Sequence, residues 1–336
     1  MVKYSIILPV RNGGDYLKLA VQSILDQTFP HFELLVLDNC SNDGTAEWLK
    51  VKSGQDERLR IFPSDLPLSI EENWGRIAKI PKQEFVTLIG HDDLLFPEYL
   101  ATMDALVRHH PGASLYQTHF RYIDGKGREI RKCLPMAEKQ DAPQFLGDIL
   151  SASIDIMGTG FMMRSTDYDR LGGIPPYPNL LFADFALWLE LTRIAYKATS
   201  RKEEFAFRKH LSTTSVSPDI KMQQAFAMLV DYLGNLRKQD KAMEDELDRY
   251  GLAFLKKHCR GLAHRLLRTP FARRDGLTVT DFLDDCKQYA KRLVPKSAYD
   301  PRSDFSVLLA AFIDSNTFTR NLFLLFKKIY SKPVLN

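Results

Sequence analysis

Two adjacent carboxylates, Asp92 and Asp93, stand where an apolar run beginning at Phe85 stops, in the stretch FVTLIGHDDLLFP. The run reads as a buried strand. Carboxylates this close repel, and one pKa rises unless a cation lies between them or solvent screens both. Mg2+ and Mn2+ prefer oxygen ligands, and Mg2+ commonly takes only one or two protein carboxylates, with substrate phosphates and water completing its shell. Open α/β sheets hold their ligands at the carboxyl ends of strands, so the pair is a candidate site for a divalent cation. Its competing role is capping: Leu94 to His109 reads as a helix, and acids favour a helix N-terminus.

A third acid, Asp184, follows a Gly- and Pro-rich loop that begins at Gly172, and precedes a helix with Leu187, Trp188 and Leu191 on its apolar face. On residue type alone it is an N-cap. Two polar loops complete the set, Arg11-Asn12-Gly13-Gly14 and Asp38 to Thr45, both rich in turn and cap residues.

The elements that position these groups follow from pattern. Tyr4 to Val10 is an apolar run suited to a buried parallel strand, and from Asp15 the residues Leu17, Val21, Ile24 and Leu25 recur at helical spacing. Phe29-Pro30 stops that helix before a second strand, Phe32 to Leu37. This is a βαβ unit, which brings both polar loops to one edge of one sheet. Leu59 to Phe62 reads as a third strand, and Ser69 to Ala78 as a helix with Glu71 and Glu72 in its first turn. Leu115 to Tyr122 and the turn Asp124 to Gly127 suggest a strand and hairpin, and Ala137 to Pro143 a mobile polar loop. Residues 154 to 164 read as an apolar strand interrupted by glycines, where a ligand or another backbone approaches closely.

The chain has 336 residues, 45% hydrophobic and 26% charged, enough to bury a large core with an extension. Its four cysteines are far apart and follow no metal-ligand spacing, which fits free thiols in a reducing compartment. No basic leader opens the sequence and no apolar run approaches the roughly 20 residues of a membrane span, so the expected location is the cytoplasm. The net charge of +4 is uneven: residues 251–336 carry 16 Lys and Arg against 7 Asp and Glu, leaving the remainder acidic.

The order of PVRN after the first strand, Gln27-Thr28-Phe29, Phe32-Glu33, VLDNCSNDGT and GHDDLLFP resembles the family-two glycosyltransferases of bacterial surface-glycan type, which have the GT-A fold. The resemblance continues loosely to about residue 217. It implies an α/β architecture, a Rossmann-like nucleotide-binding mixed sheet flanked by helices, with a C-terminal helical extension. It divides the chain into a catalytic domain, 1–217, and a basic helical extension, 218–336. Within the first, residues 1–97 bind the nucleotide sugar and 98–217 serve the acceptor. Pro9, Val10, Arg11, Asn12 and Asp38 then surround base and ribose, while Asn73 and Arg76 face the nucleotide. Asn39 stands where the family often has an Asp that accepts a hydrogen bond from uracil; an amide carbonyl can still accept it. Asp92 lies towards ribose or metal and Asp93 is the direct ligand of Mn2+ or Mg2+, although Gly90 occupies the place of the first acid in the family's Asp-x-Asp-Asp. Asp184 becomes the catalytic base, Arg208 or His210 reaches the diphosphate, and His210 is a candidate third metal ligand.

The activity implied is metal-assisted, inverting transfer of one sugar from a nucleotide-diphosphate sugar, a UDP-sugar first, to a hydroxyl of a glycan or lipid-linked glycan. The Gln-x-x-Arg-Trp signature of processive synthases is absent. The alternative is a non-catalytic nucleotide-sugar or glycan-binding module, in which Gly90 and Asn39 mark a degenerate site. The basic helices of the tail suit the inner membrane face, the catalytic domain or a homodimer; their scattered charges and lack of an aromatic platform do not suit nucleic acid.

Overall fold

The computed structural model describes residues 3–209 and 217–330. The chain forms two compact units. The first gathers the stretches up to Phe145, from Ile154 to Pro176 and from Ala183 onward through the last sheet strand; the second gathers Leu146–Ser153, Tyr177–Phe182 and the described residues from Ser217.

The first unit is built on a mixed sheet. Strand β1 (Tyr4–Val10) leads through α1 (Gly14–Leu25) to β2 (Phe32–Asp38), α2 (Thr45–Ser53) and β3 (Leu59–Pro63). After α3 (Ile70–Gly75) come β4 (Phe85–Leu88), the short β5 (Leu94–Leu95) and α4 (Tyr99–His109). Then follow β6 (Leu115–Ile123), β7 (Glu129–Lys132), β8 (Lys139–Gln140), α5 (Ala142–Ser151), which passes into the second unit at Leu146, β9 (Phe161–Arg164), α6 (Ser165–Arg170), α7 (Ala183–Ile194) and β10 (Lys197–Arg208). The strand order is β3-β2-β1-β4-β9-β6-β10-β5, with β7 on β6 and β8 on β10. Strands β1 to β4 run parallel, β9 is antiparallel to both its neighbours, and β10 is again parallel to β6. All of β1 and β2 is buried, as their unbroken apolar runs require of strands covered on both faces.

The sheet grows to one side of β1 through β2 and β3 and to the other through β4, so its order reverses between β1 and β4. Ligand crevices in open α/β sheets lie at that reversal, outside the carboxyl ends of the strands. Pro9 helps to open it. By strand alternation Pro9 turns its main chain to the same side as Ile7, whose carbonyl takes the Ile89 N–H from the β4 side. Pairing with β4 ends at Leu88, so the N–H that proline lacks falls where no partner strand remains.

Three local expectations are corrected. The helix read from Leu94 begins at Tyr99, because Leu94 and Leu95 pair with β10 and Pro97 intervenes. The loop read over Ala137 to Pro143 is instead strand β8 and the start of α5, with Gln140 buried beneath Lys197, whose ammonium donates to it at 2.8 Å. Of the strand read over 154 to 164, only Phe161–Arg164 joins the sheet. Gly160, just before it, has φ +78°, and its main chain lies against the Phe205 ring so closely that an added Cβ would stand 2.8 Å from it.

The second unit is helical. It comprises α8 (Asp219–Gln239), α9 (Lys241–Arg268), α10 (Val279–Leu293), α11 (Phe305–Asp314) and α12 (Thr317–Tyr330), with Leu229, Leu233, Leu255, Phe282 and Leu283 fully buried. No helix among the described residues is long and apolar enough to cross a membrane.

Because Gly160 combines a left-handed backbone with a wall of aromatic carbon, Gly160→Ala is expected to lower stability by about 2–4 kcal/mol. Urea denaturation with the wild type alongside measures it.

Candidate active site

The carboxyl ends of β1, β2 and β4 converge on the residues singled out from the sequence. The first two loops are knitted by side chain to main chain bonds. Asn12, at φ 55°, accepts from Asn42 N at 2.9 Å and its own N–H donates to Ser41 Oγ at 2.9 Å. Gly13 N donates to Thr45 Oγ1 at 3.0 Å and Gly14 N to Asp43 Oδ2 at 3.3 Å. Asn12 therefore shapes the crevice rim, and Arg11 stands exposed beside it. Pro9 and Val10 are buried at the strand end.

Asp38 ends β2 with only 3% of its surface exposed. Its Oδ2 accepts from Ser41 N at 3.4 Å, and Oδ1 is buried with no hydrogen-bond partner among the described residues. A buried carboxylate oxygen needs a donor, and a ligand hydroxyl at the crevice would supply one. Asn39, next in the chain, is engaged twice by one residue: Oδ1 accepts from Leu68 N at 2.7 Å and Nδ2 donates to Leu68 O at 2.9 Å. The amide pins the 64–69 segment across the crevice. Arg76 braces the same wall, donating to the carbonyls of Asp38, Phe62 and Pro63 and to Oδ1 of the buried Asn73 at 2.6 to 3.2 Å. Asn73 and Arg76 thus hold the ends of β2 and β3 together.

Asp92 and Asp93 do not cap α4, which starts six residues beyond Asp93. Asp93 is 1% exposed; its Oδ2 accepts the Thr159 hydroxyl at 2.6 Å and its Oδ1 the Arg208 N–H at 2.9 Å. Burial, and then the neighbouring charge of Asp92, push its carboxyl up to about 8. Asp92 is half-buried. Both carboxylates lie against Gly90, where a Cβ would stand 2.6 Å from Asp92 Oδ1 and 3.2 Å from Asp93 Oδ2.

Arg208 locks the pair from the end of β10. Its Nε donates to Asp92 O at 2.7 Å, Nη1 to Asp124 O at 3.0 Å, and its guanidinium lies 4.6 Å above the Tyr16 ring, whose hydroxyl donates to Gly125 O. The sequence suggested Arg208 as a diphosphate contact; here its side chain binds main-chain oxygens around Asp92. His210 lies outside the described residues.

Asp184 is the second residue of α7, inside the first turn rather than at its cap. Its carboxylate packs beside the main chain of Gly158, where a Cβ would stand 3.7 Å from Oδ2. Burial pushes its carboxyl up, against the backbone N–H groups of Phe185 and of Asp184 itself, which favour the ionised form. The α7 helix is fastened to the same loop by Trp188, which donates to Met157 O at 2.9 Å and stacks on Phe161 at 4.5 Å. Consecutive residues thus meet all three groups: Met157 takes Trp188, Gly158 faces Asp184, Thr159 holds Asp93. Thr159 was missed in the sequence; its flanking glycines were the signal, and only the sheet shows what they approach.

Two adjacent carboxylates with repelling charges and hard oxygen donors fit a divalent cation. Among the described residues, no group of three or more His, Cys, Asp or Glu is placed to hold one.

The profile of glycosyl transferase family 2 matches residues 5–172, half of the chain. The putative teichuronic acid biosynthesis glycosyltransferase TuaG of Bacillus subtilis is 39% identical over 206 residues, 59% of this chain and 75% of that relative. The crystal structure of S. aureus TarS residues 1–349 superposes with a TM-score of 0.63 at 15% identity, covering 98% of this chain and 93% of that one. A second crystal structure of the same TarS fragment, in complex with UDP-GlcNAc, superposes with a TM-score of 0.60. The mannosyltransferase PcManGT from Pyrobaculum calidifontis, in complex with GDP-Man and Mn2+, gives 0.53 at 13% identity over 97% of this chain and 88% of that one. At such identities the structural likeness concerns the fold, a GT-A sheet followed by helices. With its profile match and its relative in agreement, the chain belongs to glycosyl transferase family 2 and is a nucleotide-sugar-dependent glycosyltransferase.

Proposed function

We propose that the chain moves one sugar, with inversion, from a UDP-sugar to a hydroxyl of a glycan or lipid-linked glycan used in cell-envelope polysaccharide. The observation that carries this reading is the 157–160 loop, which fixes an acid pair suited to a diphosphate-bound cation and a single acid suited to proton removal. TuaG is named for teichuronic acid biosynthesis, and the TarS complex contains UDP-GlcNAc; both favour this acceptor and donor class. The Mn2+ of the PcManGT complex favours a metal-assisted reaction.

In this reading the nucleotide enters the crevice between β1 and β4. The orphaned oxygen of Asp38 accepts a ribose hydroxyl, while the bonds of Asn12, Asn39 and Arg76 brace the loops and strand ends beside it. Asp92 and Asp93, with His210 as the third ligand the sequence nominates, would hold Mn2+ or Mg2+, and that ion would supply positive charge opposite the diphosphate. Asp184 removes the proton of the acceptor hydroxyl as its oxygen attacks the anomeric carbon; the bond to the diphosphate breaks and its electron pair leaves with the phosphate oxygen. Attack from the face opposite the diphosphate inverts the configuration. The upward push on Asp184 strengthens it as a base, and the Phe185 N–H keeps the ionised form available. The first 97 residues bind the donor and residues 98–217 present the acceptor.

Asp184→Asn is expected to lower kcat about 10²- to 10⁴-fold while leaving donor affinity in place; single-turnover kinetics and calorimetry with a UDP-sugar separate the two. NMR of the transferred sugar in the wild-type product checks inversion, and a retained anomeric configuration would remove Asp184 from its role. Failure of any UDP-, GDP- or dTDP-sugar to be hydrolysed or transferred would end the donor assignment.

Asp93 gives a pH prediction. Folded, its carboxyl titrates near 8; unfolded, it returns to the ordinary range near 4, so the folded chain holds the extra proton between these values. Stability without metal should therefore fall as pH rises from about 4 to about 8, and Asp93→Asn should flatten this dependence. Mn2+ must displace that proton, so its stabilisation should grow over the same interval and vanish in Asp93→Asn. Thermal melts across pH, with Mn2+ and with chelator, test both.

A further inference from the structure

Helices α11 and α12 turn apolar stripes outward. On α11 the exposed side chains are Phe305, Leu308, Leu309 and Phe312, an i, i+3, i+4, i+7 set. On α12 they are Phe318, Leu322, Leu325, Phe326 and Ile329, again one face. Phe305 and Phe318 are each 77% exposed. Isolated exposed leucines are ordinary, but aromatic stripes on two successive helices mark an interaction surface.

A buried ionic elbow fixes these faces. Asp314, at the end of α11, accepts from Arg274 Nη1 at 2.6 Å, from Arg320 Nε at 2.8 Å and, on its other oxygen, from Val279 N at 2.9 Å. Arg320 also donates to the Asp314 carbonyl and lies 4.3 Å over the Phe271 ring. By helical spacing Asp314 lies opposite the α11 stripe and Arg320 opposite the α12 stripe. With both anchored inward, both stripes are held in solvent.

Charge selects the occupant. Between residues 305 and 330 the sequence holds one acid, Asp314, consumed in the elbow, against Arg320, Lys327 and Lys328. The whole segment 251–336 carries 16 basic against 7 acidic residues. Two copies meeting here would bring like charges together, whereas an anionic surface is complementary. The 14 residues of α12 extend about 21 Å, short of the roughly 30 Å of a bilayer core, so the helix lies along an interface instead of spanning it. We propose that α11 and α12 form a docking surface for an anionic phospholipid bilayer, with the stripes entering the headgroup boundary and the basic surplus meeting lipid phosphates.

The test is flotation of the full chain with vesicles of phosphatidylcholine containing phosphatidylglycerol, against phosphatidylcholine alone. Binding to the anionic vesicles is expected to be at least about tenfold tighter and to weaken in about 0.5 M salt. Leu322→Glu with Phe326→Glu, and separately Phe305→Ser with Phe312→Ser, should each weaken it about tenfold with unchanged thermal unfolding, since all four positions face solvent. Absence of flotation, or flotation that neither double variant reduces, overturns the proposal. So does light scattering that finds a dimer dissolved by these variants, which would assign the stripes to a second copy.

Discussion

The structure of the first unit depends on keeping one buried carboxylate, Asp93, in place at the point where the sheet reverses direction. A charge removed from water must be paired or hydrogen-bonded, and otherwise its acid form is favoured. Asp93 receives one donor from the loop before β9 and one from the end of β10, so two segments far apart in sequence are tied to the carboxyl end of β4. Arg208 then carries the linkage outward to Asp92, to the 124–127 turn and, through Tyr16, to α1. Two of its N–H donors, on Nε and Nη1, bond main-chain oxygens and fix the fork between the two loops.

The residues nominated for the nucleotide divide by what their polar atoms already do. Asn12, Asn39, Asn73 and Arg76 have protein partners: Asn12, Asn39 and Arg76 each join a strand end or loop to its neighbour, and Asn73 accepts from Arg76. Such bonds stiffen the crevice before a ligand arrives, which reduces the ordering cost of binding. Asp38 is the exception, buried yet with an oxygen unpaired among the described residues. The amide that replaces the family's uracil acceptor, Asn39, spends one bond from each end on the main chain of Leu68.

Much of this was legible in the sequence, for physical reasons. Fully buried parallel strands must be apolar on both faces, so β1, β2 and β4 announced themselves as unbroken runs and their ends as polar loops. The sequence could not separate a helix cap from a ligand site at Asp92 and Asp93, since both use acids after a strand; the pairing of Leu94 and Leu95 with β10 removes the cap by delaying α4. Thr159 was invisible because its partner lies 66 positions away. The stretch at 137–143 looked like loop because Glu138, Lys139, Gln140 and Asp141 are polar, yet Gln140 is satisfied inside the unit by Lys197. Leu322, Leu325, Phe326 and Ile329 recur at helical spacing in the sequence, but periodicity alone does not say whether a face is covered.

Gly90 bears on how this site differs from the pattern it resembles. With both carboxylates resting against its main chain, a side chain at 90 would meet Asp92 Oδ1 at 2.6 Å, so a first acid there requires Asp92 to turn away. The absent Cβ is thus part of the geometry that keeps the pair side by side. A third acid would also add like charge beside Asp93, whose proton is already held up to about 8 by burial and by Asp92. Two acids and a glycine therefore leave the pair nearer its neutral charge balance, and a cation there would draw more of its remaining shell from diphosphate and water.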